Sequence, residues 1–424
     1  INLKELRLFN TMISLLHWSV FLLLFIPKIN LISVGGFNAG LRLDDLIIAF
    51  WAVIFVSSFF MSRNYSLSKI EVQYYIFILI ISLGTLFTSA VYAQGTILFP
   101  LRFLEYFTFF IMGLKLGQKD DYISGVMKVI FFANIAVSLL QFVGIIGGFT
   151  TTGYRDSVSA RVIGLCSGPW ELGVILNFLT CYFLSIKVKE TFKYLVFFTA
   201  LAVIFLSGSR MSFVAQMILM VIYVYQSSSF VGILKRVLIL APFVAIALVF
   251  VADSTVASRS ENLFNMDNIV SIPETYRTTQ LVHGNPDWSL FGVLSGDDVD
   301  ASWAIRSLKW VYAVKLFVSE WTFSFTGVGA GTFGNALDGG WLRLFTECGV
   351  LGFVAFIMFM KQNSSVSNMN KLMFISFSIN MIMIDIYMSY KVMSFMLFIF
   401  GYMYSKSKTD EPLPRNRTIK FISS

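Results

Sequence analysis

Arginines stand at the edges of apolar segments throughout this chain, several of them with a carboxylate close by. Arg42 is followed by Asp44 and Asp45, Arg102 by Glu105, and Arg343 by Glu347. Arg155 and Arg161 precede one apolar run, Arg210 opens another, and Arg277 and Arg306 lie in the longest polar stretch. A guanidinium holds its charge at any working pH, and its planar fork matches a carboxylate or a phosphate through two parallel hydrogen bonds. Beside a membrane such a charge is expensive unless paired, so each arginine is a candidate either for a structural partner or for a phosphate. Three- and four-residue spacings on a helix predict that Arg102–Glu105 and Arg343–Glu347 pair internally. Glu171 follows Pro169-Trp170 at a helix start, where a carboxylate offsets the positive end of the helix dipole. Asp338 precedes Gly339-Gly340 and a run opening at Trp341; it is either a helper at that helix start or a base for a hydroxyl proton. Gly327, Gly329 and Gly331 alternate, which permits a tight turn or a nest of N–H groups for an anion.

Other chemistries find little to build on. The only histidines are His17 and His283, and Cys166, Cys181 and Cys348 lack metal-ligand spacing. No Walker loop, dinucleotide-binding glycine fingerprint or zincin motif is present, so any driving force resides in the substrate or in an ion gradient.

Membrane helices must position these groups. Hydrophobic residues make up 57% of the 424 and charged residues 13%, about half the charge of a soluble domain, too little to cover a soluble body of this size. Apolar runs of crossing length recur along the chain and predict spans near 11–27, 45–61, 72–90, 97–116, 123–146, 169–186, 193–206, 211–226, 237–252, 341–360, 371–388 and 391–404. Ser207-Gly208-Ser209-Arg210 separates the seventh from the eighth. Lys4, Arg7, Arg63, Lys69, Lys115, Lys119, Lys187, Lys189, Lys193, Lys235, Arg236, Lys361 and Lys371 fall on alternate short connections, together with the basic tail. By the positive-inside rule this predicts an all-α bundle of about twelve spans with both termini cytoplasmic. The net charge of +8 follows from this bias, so nucleic acid is not expected as a partner. Residues 1–404 form one transmembrane domain, and 405–424 read as a disordered cytoplasmic tail.

The stretch 253–340 reads as a large outer loop. It is acidic up to Asp300. From Ala301 to Phe325, Trp303, Leu308, Val311 and Phe317 recur near helical spacing among Arg306, Lys309 and Lys315. That pattern predicts an amphipathic helix, either lying at the membrane face or packed on the bundle as a lid.

Four stretches give the chain a resemblance to a family. They are Gly40-Leu41-Arg42-Leu43-Asp44-Asp45; Arg161-Val162-Ile163-Gly164 running to Pro169 and Gly173; Leu206-Ser207-Gly208-Ser209-Arg210; and a series from Arg306 and Trp310 through Gly327–Gly331, Asp338, Trp341-Leu342-Arg343-Leu344 and Glu347-Cys348-Gly349-Val350-Leu351-Gly352. In order and spacing these resemble the Wzy-type O-antigen or capsule repeat-unit polymerases, in the superfamily shared with the WaaL-type O-antigen ligases.

The resemblance implies a metal-independent glycosyltransferase without a cofactor, in the bacterial inner membrane with its active site facing the periplasm. It would move a growing glycan from undecaprenyl diphosphate to the non-reducing-end sugar of a new undecaprenyl-diphosphate-linked repeat unit. Carried over by position, Arg161, Arg210 and Arg306 would bind the diphosphate, with Arg277 a weaker candidate. Arg343, Glu171, Trp341, Gly329 and Gly331 would complete the substrate site. The ligases carry an essential histidine where this chain has Asp338; the departure favours a polymerase and raises Asp338 as the base. A chain-length regulator and a flippase would be partners. The alternatives are a ligase acting on lipid A-core, and a transporter of lipid-linked glycans, whose expected inverted repeats and discontinuous helices are not legible in the sequence.

Overall fold

The computed structural model describes residues 3–28, 30–33, 40–61, 67–117, 122–150, 153–155, 161–226, 231–238, 272–288, 301–334 and 336–410. The chain is predominantly helical. In order come α1 (Leu3–Phe25), the hairpin β1 (Asn30–Ser33) and β2 (Gly40–Arg42), α2 (Leu43–Met61), α3 (Lys69–Tyr92), α4 (Phe99–Leu116) and α5 (Tyr122–Phe142). A second hairpin, β3 (Gly148–Thr150) with β4 (Gly153–Arg155), leads to α6 (Pro169–Ser185), α7 (Glu190–Ser207) and α8 (Arg210–Tyr225). The short α9 (Ile272–Thr278), α10 (Ala301–Ser319) and α11 (Phe323–Thr326) precede α12 (Gly340–Ser364), α13 (Asn368–Asn380), a 3-10 turn at Ile386–Met388, and α14 (Tyr390–Asp410).

Local sequence accounts for several boundaries. Ser68 and Glu71 form a reciprocal capping box at the start of α3. Proline occupies the first turns of α4 and α6, where its missing N–H is harmless. Gly208, at φ +63°, ends α7 in the left-handed conformation. Ten of the expected apolar runs coincide with helices, and an eleventh, 371–388, does so only to Asn380. The twelfth, 237–252, lies outside the described residues from 239 onward, as do 253–271, 289–300 and the tail beyond 410. Among the described residues four helices are long and apolar enough to cross a membrane: α3, α5 over Ile123–Phe142, α7 and α12.

Small residues and aromatics set the packing. α4 and α14 lie in close contact. A Cβ on Gly113 would fall 2.2 Å from Phe398 O, one on Gly117 2.4 Å from Tyr402 O, and one on Gly401 2.0 Å from Phe110 O. Backbone approaches this tight are open only to glycine and suit a medium in which helix association rests on van der Waals contact. Tyr74, Phe103, Phe107, Phe356 and Phe359 fill the buried seam joining α3, α4 and α12, and Tyr74 donates its hydroxyl to Phe103 O at 2.9 Å.

Two of the expected continuous spans are broken. Gly349, at φ +64°, interrupts α12. The break releases the carbonyls of Thr346 and Glu347 from helical pairing, and Val328 N and Gly329 N donate to them at 2.9 and 3.2 Å. The run 371–388 stays helical only to Asn380; residues 381–389 turn back through the 3-10 segment. Hydropathy cannot register either interruption, because the freed backbone groups are satisfied by protein.

Candidate functional site

The segment before α12 is held from two sides. On one side α10 supplies a row of donors. Arg306 Nε donates to Asp338 Oδ2 at 3.2 Å, Lys309 Nζ to Ala336 O at 2.6 Å, and Trp310 Nε1 to Leu337 O at 3.1 Å. Burial draws Lys309 below the ordinary lysine value, although Asp338 and Asp385 oppose the shift. On the other side Asp385, from the broken segment, accepts Leu337 N at 2.6 Å and Gly339 N at 3.0 Å. Asp338 between them adopts φ +59°, an uncommon conformation for a residue with a Cβ. The N-cap of α12 is Gly339, which has no side chain, so Asp338 stands one residue before the helix start. It faces Arg306 and remains 36% exposed, against 23% for Arg306.

Behind this accessible pair lies a buried lattice. Arg343 is 1% exposed and donates to Glu347 Oε1, Asp385 Oδ2 and Gly334 O, each at 3.0 Å. Tyr387 donates to Glu347 Oε2 at 2.8 Å. The expected Arg343–Glu347 pair is therefore present, but Asp385 and Gly334 O complete the coordination. Arg343 was expected to bind substrate; its place is inside the protein, bracing the segments on which Asp338 sits. Trp341 likewise joins elements, its backbone N donating to Met381 O at 3.0 Å and its Nε1 to Ser378 O at 2.9 Å.

The glycine loop spends its N–H groups within the protein. Val328 N and Gly329 N serve the carbonyls freed at the α12 break, and Ala330 N donates to Thr85 Oγ1 at 3.0 Å. A Cβ on Gly329 would fall 2.3 Å from Thr88 Oγ1, and one on Gly331 3.3 Å from Phe99 and Thr96. These glycines allow the loop to pack between α3 and α12, and its N–H groups are taken by acceptors within the protein, Gly331 N by the Glu347 carboxylate.

A second arginine cluster surrounds the α7–α8 turn. Arg161 Nε donates to Ser207 O at 2.8 Å and its Nη2 to Gly208 O at 3.0 Å, closing the C-terminal end of α7. Arg210, half-buried, opens α8 at the same turn. The turn is linked to the broken segment, since Ser209 Oγ donates to Ser212 Oγ at 2.9 Å and Ser212 Oγ to Asn380 Oδ1 at 2.8 Å. Both clusters thus abut residues 378–389, Arg161 and Arg210 through Asn380, and Arg306 and Asp338 through Asp385 and Met381.

The remaining candidates lie elsewhere. Arg277 is exposed on α9, which Lys315 fastens to α10 by donating to Tyr276 O and Thr279 O at 2.9 and 2.7 Å. Glu171 is buried and accepts from Lys28 Nζ at 2.7 Å, Ser389 Oγ at 2.5 Å and Ser167 N at 2.8 Å, so it ties the start of α6 to two distant segments. Arg42 pairs with Asp45 at 2.9 Å and Asp44 at 3.4 Å. Burial acts against its charge, but the Asp45 hydrogen bond and the surrounding carboxylates raise its pKa overall. Glu105 lies 3.9 Å from Arg42, while Arg102 rests over the Phe99 ring, so the expected Arg102–Glu105 pair is replaced by a tertiary contact. Asp385 was absent from the expectations. The available signal was its type: an acid within an apparent span is expensive in lipid and needs a partner.

In comparisons with family models and with curated proteins, the chain matches none.

Proposed function

We propose that this chain is a polytopic bacterial inner-membrane glycosyltransferase that polymerises lipid-linked repeat units, as the family resemblance implies. The observation that carries the reading is the Arg306–Asp338 pair. It joins a permanent cation and a carboxylate at 3.2 Å, both accessible, while Glu347, Asp385 and Glu171 are buried and engaged.

In this reading about twelve spans place both termini in the cytoplasm and the 253–340 region in the periplasm. Undecaprenyl diphosphate leaves as the glycosidic bond to it breaks, and negative charge builds on its bridging oxygen. Arg306, Arg210 and Arg161 stabilise that charge through fixed guanidinium groups, which act more strongly at the edge of lipid than in bulk water. Asp338 takes the proton from the attacking sugar hydroxyl, which must approach to about 3 Å. Phenylalanine- and leucine-rich helix faces accommodate the polyprenyl chain. The partners are undecaprenyl-diphosphate-linked oligosaccharides, with a chain-length regulator and a flippase in the same pathway.

A transporter of lipid-linked glycans is the second reading, and the interruptions at Gly349 and 381–389 favour it, because transporters build sites from discontinuous helices. Purified protein supplied with lipid-diphosphate-linked repeat units, with lipid A-core offered as an alternative acceptor, decides between them. A ladder of lengthening glycans supports the polymerase. A single conjugate on lipid A-core supports a ligase. Translocation in vesicles without a new bond supports the transporter and overturns the proposal.

A further inference from the structure

We propose that Asp385 is the positioning residue that sets Asp338 for its reaction; this rests on reading Asp338 as the group that takes the acceptor's proton. One carboxylate receives the N–H on each side of residue 338, Leu337 N on Oδ2 at 2.6 Å and Gly339 N on Oδ1 at 3.0 Å. The peptides flanking Asp338 are thereby fixed relative to one group. Asp338 itself is left in the left-handed region at φ +59°, and a residue with a Cβ persists there only where its surroundings over-determine it. From that conformation its side chain reaches Arg306.

The clamp has its own support. Asp385 is 6% exposed, and Arg343 Nη1 supplies the countercharge at 3.0 Å. Asp385 sits between α13 and α14, in the broken segment whose start also receives Trp341 N. A shift of that segment moves Leu337 and Gly339 with it, and Asp338 between them. Trp310 Nε1 on Leu337 O opposes the clamp from α10, so the strand before α12 is gripped across its backbone.

The test is Asp385→Asn in the full-length purified protein. The side chain keeps its shape but replaces one carboxylate oxygen with an NH2, so when its oxygen faces Leu337 N or Gly339 N the other backbone N–H meets a donor. With lipid-diphosphate-linked repeat units as substrate, kcat falls about 100-fold, the scale of a misplacement near 1 Å, while KM is unchanged. Amide hydrogen exchange at Leu337 and Gly339 accelerates in the same variant, and Asp385→Glu, which retains two oxygens and the charge, recovers part of both. Wild-type kcat in Asp385→Asn overturns the assignment. So does a loss of kcat with unaltered exchange at both amides. If Asp385→Asn fails to accumulate in the membrane, Asp385→Glu carries the test, since its added methylene displaces the loop: unaltered exchange and kcat would overturn the clamp. If the wild-type protein forms no polymer, the proposed function falls, and the exchange measurement alone then decides the clamp.

Discussion

Asp338 and Glu347 lie close in the chain and in opposite surroundings. Asp338 touches one cation and stays accessible, whereas Glu347 is enclosed with Arg343 and Tyr387. Their substitutions should separate accordingly. Asp338→Asn and Arg306→Ala should each lower polymer formation by about 10²–10³-fold with normal membrane insertion, the scale of losing one preorganised electrostatic group. Normal glycan length in either variant, measured by complementation, would remove that residue from the chemistry. Arg343→Ala should instead destabilise the fold by about 3–5 kcal/mol, because it leaves Glu347 and Asp385 as buried charges without their cation. A melting temperature equal to wild type in detergent would contradict that account. The Arg343–Glu347 pair was legible because four-residue spacing on a helix fixes the contact locally. Glu105 was misassigned because helix geometry permits Arg102, yet Arg42 arrives from another segment.

Elements are held apart or together by the absence of side chains. Gly349 ends one helical stretch so that the Gly327–Gly331 loop can enter; a Cβ there would lie 2.4 Å from Phe325 O. Gly349→Ala should therefore expel the loop and abolish activity together with stability, as read by thermal aggregation and glycan length in parallel. Gly401→Val should part α4 from α14, where Phe110 O is already at the contact limit, and a cysteine pair across that interface should lose its crosslinking efficiency. α10 shows why the sequence left two readings open. Its buried face carries Ser307, Val311, Tyr312, Ala313 and Leu316, and its other side exposes Ile305, Val314 and Val318. An apolar repeat predicts a helix, but a helix apolar on more than one side does not reveal which side meets protein.

At the scale of the whole molecule, broken helices, buried ion pairs and an accessible arginine–carboxylate pair meet around residues 378–389. One-sided chemistry requires that assembly to face outward. Reporter fusions test it: a reporter in the 253–340 region should be active only in the periplasm, and one following Ser405 only in the cytoplasm. The reverse pattern would deny Arg306 and Asp338 access to a periplasmic substrate.

The sequence by itself determined where most of the described helices lie, since apolar composition over consecutive residues is a local property. It also fixed the intrahelical Arg343–Glu347 pair and singled out the other arginines and Asp338 as candidates. Only the tertiary structure decided which of these groups stay accessible. Arg343 disappears into the interior because Asp385 and Gly334 O converge on it from other segments, beside Glu347 of its own helix. The glycine loop serves packing because carbonyls released by a break elsewhere take Val328 N and Gly329 N, and Thr85 Oγ1 takes Ala330 N. Such outcomes depend on which acceptors reach a donor first in three dimensions, and the one-dimensional order of residues does not carry that information.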